Sequence, residues 1–266
     1  MAPSTKRATP PPWHRWLTVA GGLLLLLALL PLQAVASEEE SAAESGEKIL
    51  LQVDRKLQPE SFELFAQVNQ QFSNGRSGQF SLYVIKGKGK KAAALLLAPE
   101  EWIGRAVLRT EDTVWMHVPG ELELRPATLL QSMQPGLFNH ADLLLTDFSV
   151  DYTATLLEKN ETSYLLELRP RHDRLPYTKQ LMQVDRRSKL PTSLRQFGAN
   201  GVLLKSITFS QTNDLHGFPR PTLLQAVSGS DSQTTATWQL GSIKRRSVPD
   251  ETFSKEFLPK IGTASK

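Results

Sequence analysis

Cysteine is absent from the chain. That excludes disulfide staples, thiolate zinc sites and cysteine nucleophiles. It also excludes lipid attachment through an N-terminal cysteine. Histidine is scarce. His14, His117, His140, His172 and His216 are scattered, with no HExxH and no pair at metal-ligand spacing. His140 and Asp142 are two apart, a spacing that does not share a helix face, so no metal site is expected. There is no G-x-S-x-G elbow and no P-loop. Ser228 to Asp231 reads as a hairpin loop. Asp142, Asp147 and Asp151 fit helix capping or surface solvation at least as well as paired acid and base. The chain is therefore expected to be no enzyme, with no catalytic residue, no cofactor and no metal.

An excess of positive charge is also largely missing where it would matter. The formal net charge is +4, from 31 basic and 27 acidic residues. Residues 1–36 carry Lys6, Arg7 and Arg15 and no acid, which leaves 28 against 27 in the remainder. A nearly neutral remainder argues against a nucleic-acid partner. Trp102, Trp115, Trp238, Tyr83, Tyr152 and Phe80 are not interleaved with basic residues, so a stacking platform for single strands is not supported either. Core packing accounts for them, and so does the wall of an apolar cavity. The one basic cluster, Lys86 to Lys91, carries two glycines and reads as a solvated hairpin tip. The alternative is a basic tip that meets anionic headgroups or an acidic partner.

Residues 1–36 read as a secretory signal. A basic start is stiffened by Pro10, Pro11 and Pro12. Leu17 to Leu30 is apolar, and Pro31 breaks the run. Ala34-Val35-Ala36 supplies a small-x-small site, which places cleavage after Ala36. Retention as an anchor is the alternative, because Leu17 to Ala36 spans about 20 residues, just enough for a bilayer. Gly21, Gly22, Pro31 and Gln33 favour cleavage. No second long apolar run follows, so a soluble exported protein is expected. Residues 37–46 form an acidic linker, and 47–266 a single domain.

Ile49, Leu50, Val53 and Leu57 share a helical face, which predicts a short helix over Glu47 to Leu57 ended by Pro59. Beyond it, short alternating runs recur between turn residues. Phe62 to Phe72 fits strand or helix. Gln79 to Lys86, Ala92 to Leu97, Arg105 to Thr110, Thr113 to Val118 and Glu121 to Arg125 read as strands. Ala127 to Asp147 loses the period of two and reads as loop, then a short helix from about Asn139. Strands resume at Val150 to Leu157, Ser163 to Arg169, Thr178 to Asp185, Thr192 to Phe197, Leu203 to Ser210, Arg220 to Val227 and Thr234 to Leu240. Asp250 to Leu258 fits a short helix. Short turns make the strands antiparallel. One apolar and one polar face per strand predicts a curved sheet covering something on one side.

Several runs resemble the LolA-like outer-membrane lipoprotein-sorting protein family. Gly104, Leu108, Arg109, Asp112, Trp115 and Pro119 are similar to its "G-x-x-x-L-R-x-x-D-x-x-W-x-x-x-P" stretch. Phe138, Asp142 and Leu143 resemble its "F-x-x-x-D-L". Tyr177, Val184-Asp185, Leu190-Pro191, Gly201 and Lys205 follow in the family's order, as do His216 to Pro219 and Val248 to Phe253. Gly136-Leu137-Phe138 departs from the Gly-Ser-Asp-Phe often found there, and is more apolar. The resemblance covers most of residues 47–258. It implies a mainly β fold: a strongly curved antiparallel sheet of about 11 strands, an incomplete barrel, with short helices over its concave face. It also implies a periplasmic carrier of lipid or lipoprotein acyl chains, moving them toward the outer membrane. An inner-membrane transporter and an outer-membrane acceptor would be its partners, and it would act as a monomer. Alternation assigns the cavity wall to Phe80, Leu82, Val84, Val114, Met116, Val118, Leu166, Leu168, Trp238 and Leu240. Leu137, Phe138, Leu143 and Leu144 are expected in the lid. Trp115 is ambiguous, since its strand is apolar on both faces. A periplasmic interaction or sensor module working with an inner-membrane transporter is the alternative.

Overall fold

The computed structural model describes residues 44–58, 61–145, 147–215, 217 and 219–261, which belong to one compact unit, Ser41–Lys266. The expected export segment, the linker up to residue 43, Pro59, His216 and Phe218 lie outside the described residues. Among the described residues no helix is long and apolar enough to cross a membrane.

Two antiparallel meanders build the molecule. The first comprises β1 (Phe62–Gln71), β2 (Ser77–Lys86), β3 (Ala92–Ala98), β4 (Ala106–Thr110), β5 (Thr113–His117) and β6 (Arg125–Ala127). The second comprises β7 (Tyr152–Lys159), β8 (Ser163–Pro170), β9 (Lys179–Asp185), β10 (Pro191–Phe197), β11 (Leu203–Asp214), β12 (Pro219–Ser228) and β13 (Thr235–Arg245). β13 pairs with β1, which fuses both meanders into one sheet with β6 and β7 at its two edges. Thirteen described strands exceed the expected eleven. Phe62–Gln71, which fitted helix or strand, is a strand because β2 and β13 flank it on both sides.

The sheet is strongly rolled. Arg109 on β4 and Asp151, next to the start of β7, are ten strand positions apart in the sheet order. Flat, that is about 48 Å. Yet their side chains form two hydrogen bonds, of 2.6 and 2.7 Å. The inner face holds one continuous core, from Val107 and Val114 through Leu82 and Trp238 to Leu166 and Met182.

α1 (Gly46–Leu57) packs Ile49, Leu50, Val53 and Leu57 into that core. Ser45 caps its start by accepting from the Lys48 N–H. Gly46 lets the helix lie directly on β7, since a Cβ there would stand 2.6 Å from the Ala154 carbonyl oxygen. Glu47 accepts the Ala154 N–H at 3.0 Å and so occupies part of the free edge of β7.

The link from β6 to β7 must pass from one sheet edge to the other. It carries α2 (His140–Leu143) and α3 (Phe148–Asp151), and lays Phe138, Leu143 and Leu144 against the inner core. α3 corrects the strand expected from Val150. Its sequence, Phe-Ser-Val-Asp, favours a strand, but Asp54 of α1 accepts the N–H groups of Phe148 and Ser149 and caps a helical turn there.

The expected polar outer face holds for much of the sheet but not for β2 to β5. There Tyr83, Ile85, Ala93, Leu95, Ala106 and Leu108 point outward and are buried under Phe253, Leu258 and Ile261 of the C-terminal tail. The tail forms short 3-10 turns at Asp250–Phe253 and Leu258–Lys260 instead of one helix. Trp115 belongs to this outer layer, with the Lys255 ammonium 3.2 Å from its ring centre. The strand expected at Glu121 to Arg125 begins only at Arg125, and Leu122 is fully exposed.

Candidate functional site

A cavity of about 100 Å³ lies between the inner face of the second meander and the β6–β7 crossover. Its sheet wall is Leu194, Gln196, Ile207, Phe209, Leu224, Trp238 and Leu240, and its crossover wall is Phe138, Ala141, Asp142, Leu145 and Phe148. Leu57 and Gln58 of α1 close one end. Phe138 stands edge-on to Trp238, with ring centres 5.4 Å apart and planes at 85°. The crossover, with α1, therefore packs into the space that the rolled sheet encloses.

Of the residues assigned to the wall by alternation, Trp238 and Leu240 line this cavity. Phe80, Leu82, Val84, Val114, Leu166 and Leu168 face the same core, but as packed residues away from the cavity. Met116 and Val118 are half-buried near the β6 edge. Of the expected lid residues, Phe138 reaches the cavity, Leu143 and Leu144 are buried behind it, and Leu137 is half-buried against the core. Leu194, Ile207, Phe209 and Leu224 were missed, although the first three alternate with polar residues along their strands; Leu224 follows Leu223, so its face carries no such signal. Arg220 and Asp142 were missed as wall residues because a lone charge on an otherwise apolar face carries no marker of burial.

Ion pairs hold the crossover down. Lys205 of β11 pairs with Asp142 and donates to the Leu137 carbonyl at 2.7 Å. Tyr177 donates to Asp142 and accepts from the Asn139 side chain at 2.8 Å. The Asp142 carboxylate also accepts the Asn139 N–H, closing a capping box. The Leu137 N–H donates to Gln70 of β1 at 3.0 Å. At the far end of the crossover, Asp147 pairs with Lys86 at 2.8 Å and Asp151 with Arg109. Burial raises the Asp147 carboxyl above its ordinary value despite the Lys86 ammonium.

The Lys86 to Lys91 segment is the expected hairpin turn, between β2 and β3, and its apex at Lys88 and Gly89 is exposed, but its other lysines are not free in solvent. Lys86 is 2 % exposed and clamps Asp147, Lys90 pairs with Asp112 at 2.5 Å, and Lys91 pairs with Asp250 at 2.8 Å. His140, expected to bind no metal, is buried and meets the Thr128 carbonyl at 2.8 Å, and burial holds its imidazole below the usual range.

A family model described as uncharacterized protein matches residues 88–260. Among solved structures, a LolA superfamily protein from Nitrosomonas europaea superposes with a TM-score of 0.74 at 21% identity, over 80% of this chain and 99% of that one. A domain described as an outer membrane lipoprotein-sorting protein, from Vibrio parahaemolyticus, gives 0.68 at 16% identity, over 80% and 98%. The chain belongs to the family matched, and its fold is LolA-like. A DUF1329 family protein from Desulfovibrio piger shares this LolA-like fold, with a TM-score of 0.71 at 15% identity over 80% and 97%. No curated protein matches the sequence. Within the LolA-like frame, the motif residues of the sequence meet in space. Asp142 and Lys205 come from separate motifs and form one buried pair, and Arg109 and Asp112 of a third motif tie the first meander to α3 and the β8–β9 loop.

Proposed function

We propose that the chain is a non-enzymatic carrier of lipid or lipoprotein acyl chains, exported to the periplasm and working toward the outer membrane. The observation that carries this reading is the apolar cavity between a rolled sheet and a crossover held by side-chain latches. An acyl chain in water costs about 0.8 kcal/mol per exposed CH₂. A dry wall of Leu, Ile, Phe and Trp offsets that cost without covalent chemistry. At about 100 Å³ the cavity is smaller than the 300–1,000 Å³ of typical ligand sites. Loading therefore requires the crossover to swing out and take Phe138, Leu145 and Phe148 with it. The basic, apolar and small-x-small segments of residues 1–36 support export.

The small volume is also the observation that favours the second reading, an interaction or sensor module beside an inner-membrane transporter. The sheet edges speak against it as an edge-pairing device. β6 is three residues long and contains Pro126, and Glu47 occupies part of the β7 edge. Mass spectrometry of an organic extract from gently purified protein decides between the two. A co-purifying lipid, or saturable uptake of a fluorescent fatty acid, is expected. A reproducibly empty protein that takes up no fatty acid would sink the carrier reading and leave the interaction module.

A further inference from the structure

Arg220 is a buried cation that meets no anion among the described residues. It is 5 % exposed, lines the cavity, and has no carboxylate partner among the described residues. One guanidinium N–H donates to the Leu57 carbonyl at 3.0 Å, and the group lies 5.8 Å from the Phe62 ring centre. Its Nε–H is buried and unpaired. The C-terminal carbonyls of α1 offset only part of a full charge. A buried charge left in this condition is costly, and Arg keeps its proton in such surroundings more firmly than Lys. Of the other unpaired buried polar atoms on the same wall, Trp238 Nε1 and Gln180 Nε2 donate and Gln196 Oε1 accepts. Donors outnumber acceptors, so the complementary ligand is rich in acceptors.

Register fixes where these groups lie. Arg220 sits opposite Asn213 at one end of the β11–β12 pair. Gln180, Gln196 and Lys205 form a row across β9, β10 and β11 at the other end, level with Ser228. Eight strand residues separate the two ends, about 27 Å. Between them the wall is apolar.

Building on the acyl-carrier reading, we propose that Arg220 is the counter-ion for an anionic lipid head, and that the ligand is an amphiphile with a carboxylate or phosphate group bound head-inward. The head takes the fork of Arg220 at the α1 end. The chain then runs past Leu240, Leu224, Trp238 and Phe209 toward Ile207. Arginine suits either oxyanion, because its planar fork matches both.

The test is displacement of the neutral dye N-phenyl-1-naphthylamine from the native protein by dodecanoate, dodecyl phosphate and methyl dodecanoate. One of the two anions is expected to bind at least about tenfold tighter than the ester, the equivalent of one charge-assisted hydrogen bond, and the two anion arms distinguish carboxylate from phosphate. In Arg220→Gln the three ligands should come within about twofold of one another. Equal binding of anions and ester by the native protein overturns the proposal, as does a preference that survives in Arg220→Gln. The comparison within the native protein stands even where the variant fails to fold. A native protein that binds neither dye nor any of the three ligands overturns the carrier reading itself, a separate result from binding without charge preference.

Discussion

Asp54 shows what a single side chain does here. It is buried, it caps α3 from α1, and desolvation pushes its carboxyl up to about 6 from 3.8. The folded state therefore holds a proton between these two values that the unfolded chain has released. Stability attributable to Asp54 is greatest below the unfolded value and declines as pH rises toward 6. A difference of that size is worth about 3 kcal/mol. In Asp54→Asn this decline should vanish, so the stability of the variant relative to the native protein should improve from pH 4 to 6.5. Urea titrations across that range check it, and parallel profiles for the two proteins would refute the assignment. Nothing in the sequence marks Asp54, because its partners lie some ninety residues on. Trp238, by contrast, was legible from the alternation of Ala236, Trp238 and Leu240 alone. Arg220 was equally visible as a letter and equally silent, since alternation tells which face a residue takes but not whether a charge there finds an anion.

The crossover is the element on which both fold and proposed function turn. Its apolar content, Leu129 through Leu145, was readable as a departure from strand periodicity. Its path was not, because only the pairing of β13 with β1 forces the chain to travel from one sheet edge to the other. α3 was hidden for a related reason: a cap supplied from another element overrode local strand propensity. Lys205 and Asp142 fasten the crossover at its middle. Lys205→Met leaves the Asp142 carboxylate buried without its ammonium and should cost about 3–5 kcal/mol in urea unfolding. The double variant Asp142→Leu with Lys205→Met should recover most of that loss, because it removes the stranded charge. Under the carrier reading it should also take up fluorescent fatty acid faster. A single variant costing less than about 1 kcal/mol would show that the pair does not fasten the crossover.

At the scale of the whole molecule, the sheet is covered on both sides over β2 to β5. The inner cover was expected from the resemblance; the outer one was not. The signal was present in Tyr83, Ile85 and Trp115, apolar residues on the face that alternation assigns to solvent. Their cover stayed hidden, because the tail that supplies it has no strong periodicity. Each buried side chain of that tail, Phe253, Leu258 and Ile261, contributes about 1.5–3 kcal/mol. A chain ending at residue 247 should bare a patch around Tyr83, Leu95 and Leu108, bind the dye bis-ANS and self-associate in size-exclusion chromatography. A truncated chain that stays monomeric with an unchanged melting temperature would show that the outer layer is dispensable.

The pairing of β1 with β13 also sets an order of events. β1 to β6 can zip up by local hairpins before the second meander has formed. The outer side of β1 then waits for residues near 235 before its hydrogen bonds are met. Closing so long a loop is slow, and topologies dominated by distant pairings fold on the slow side of the known range. Until β13 arrives, a ten-residue strand stands open to any other chain with an edge to offer. The newborn polypeptide is thus most exposed to misassembly in the middle of its future sheet, and a holding factor that shields β1 would act there.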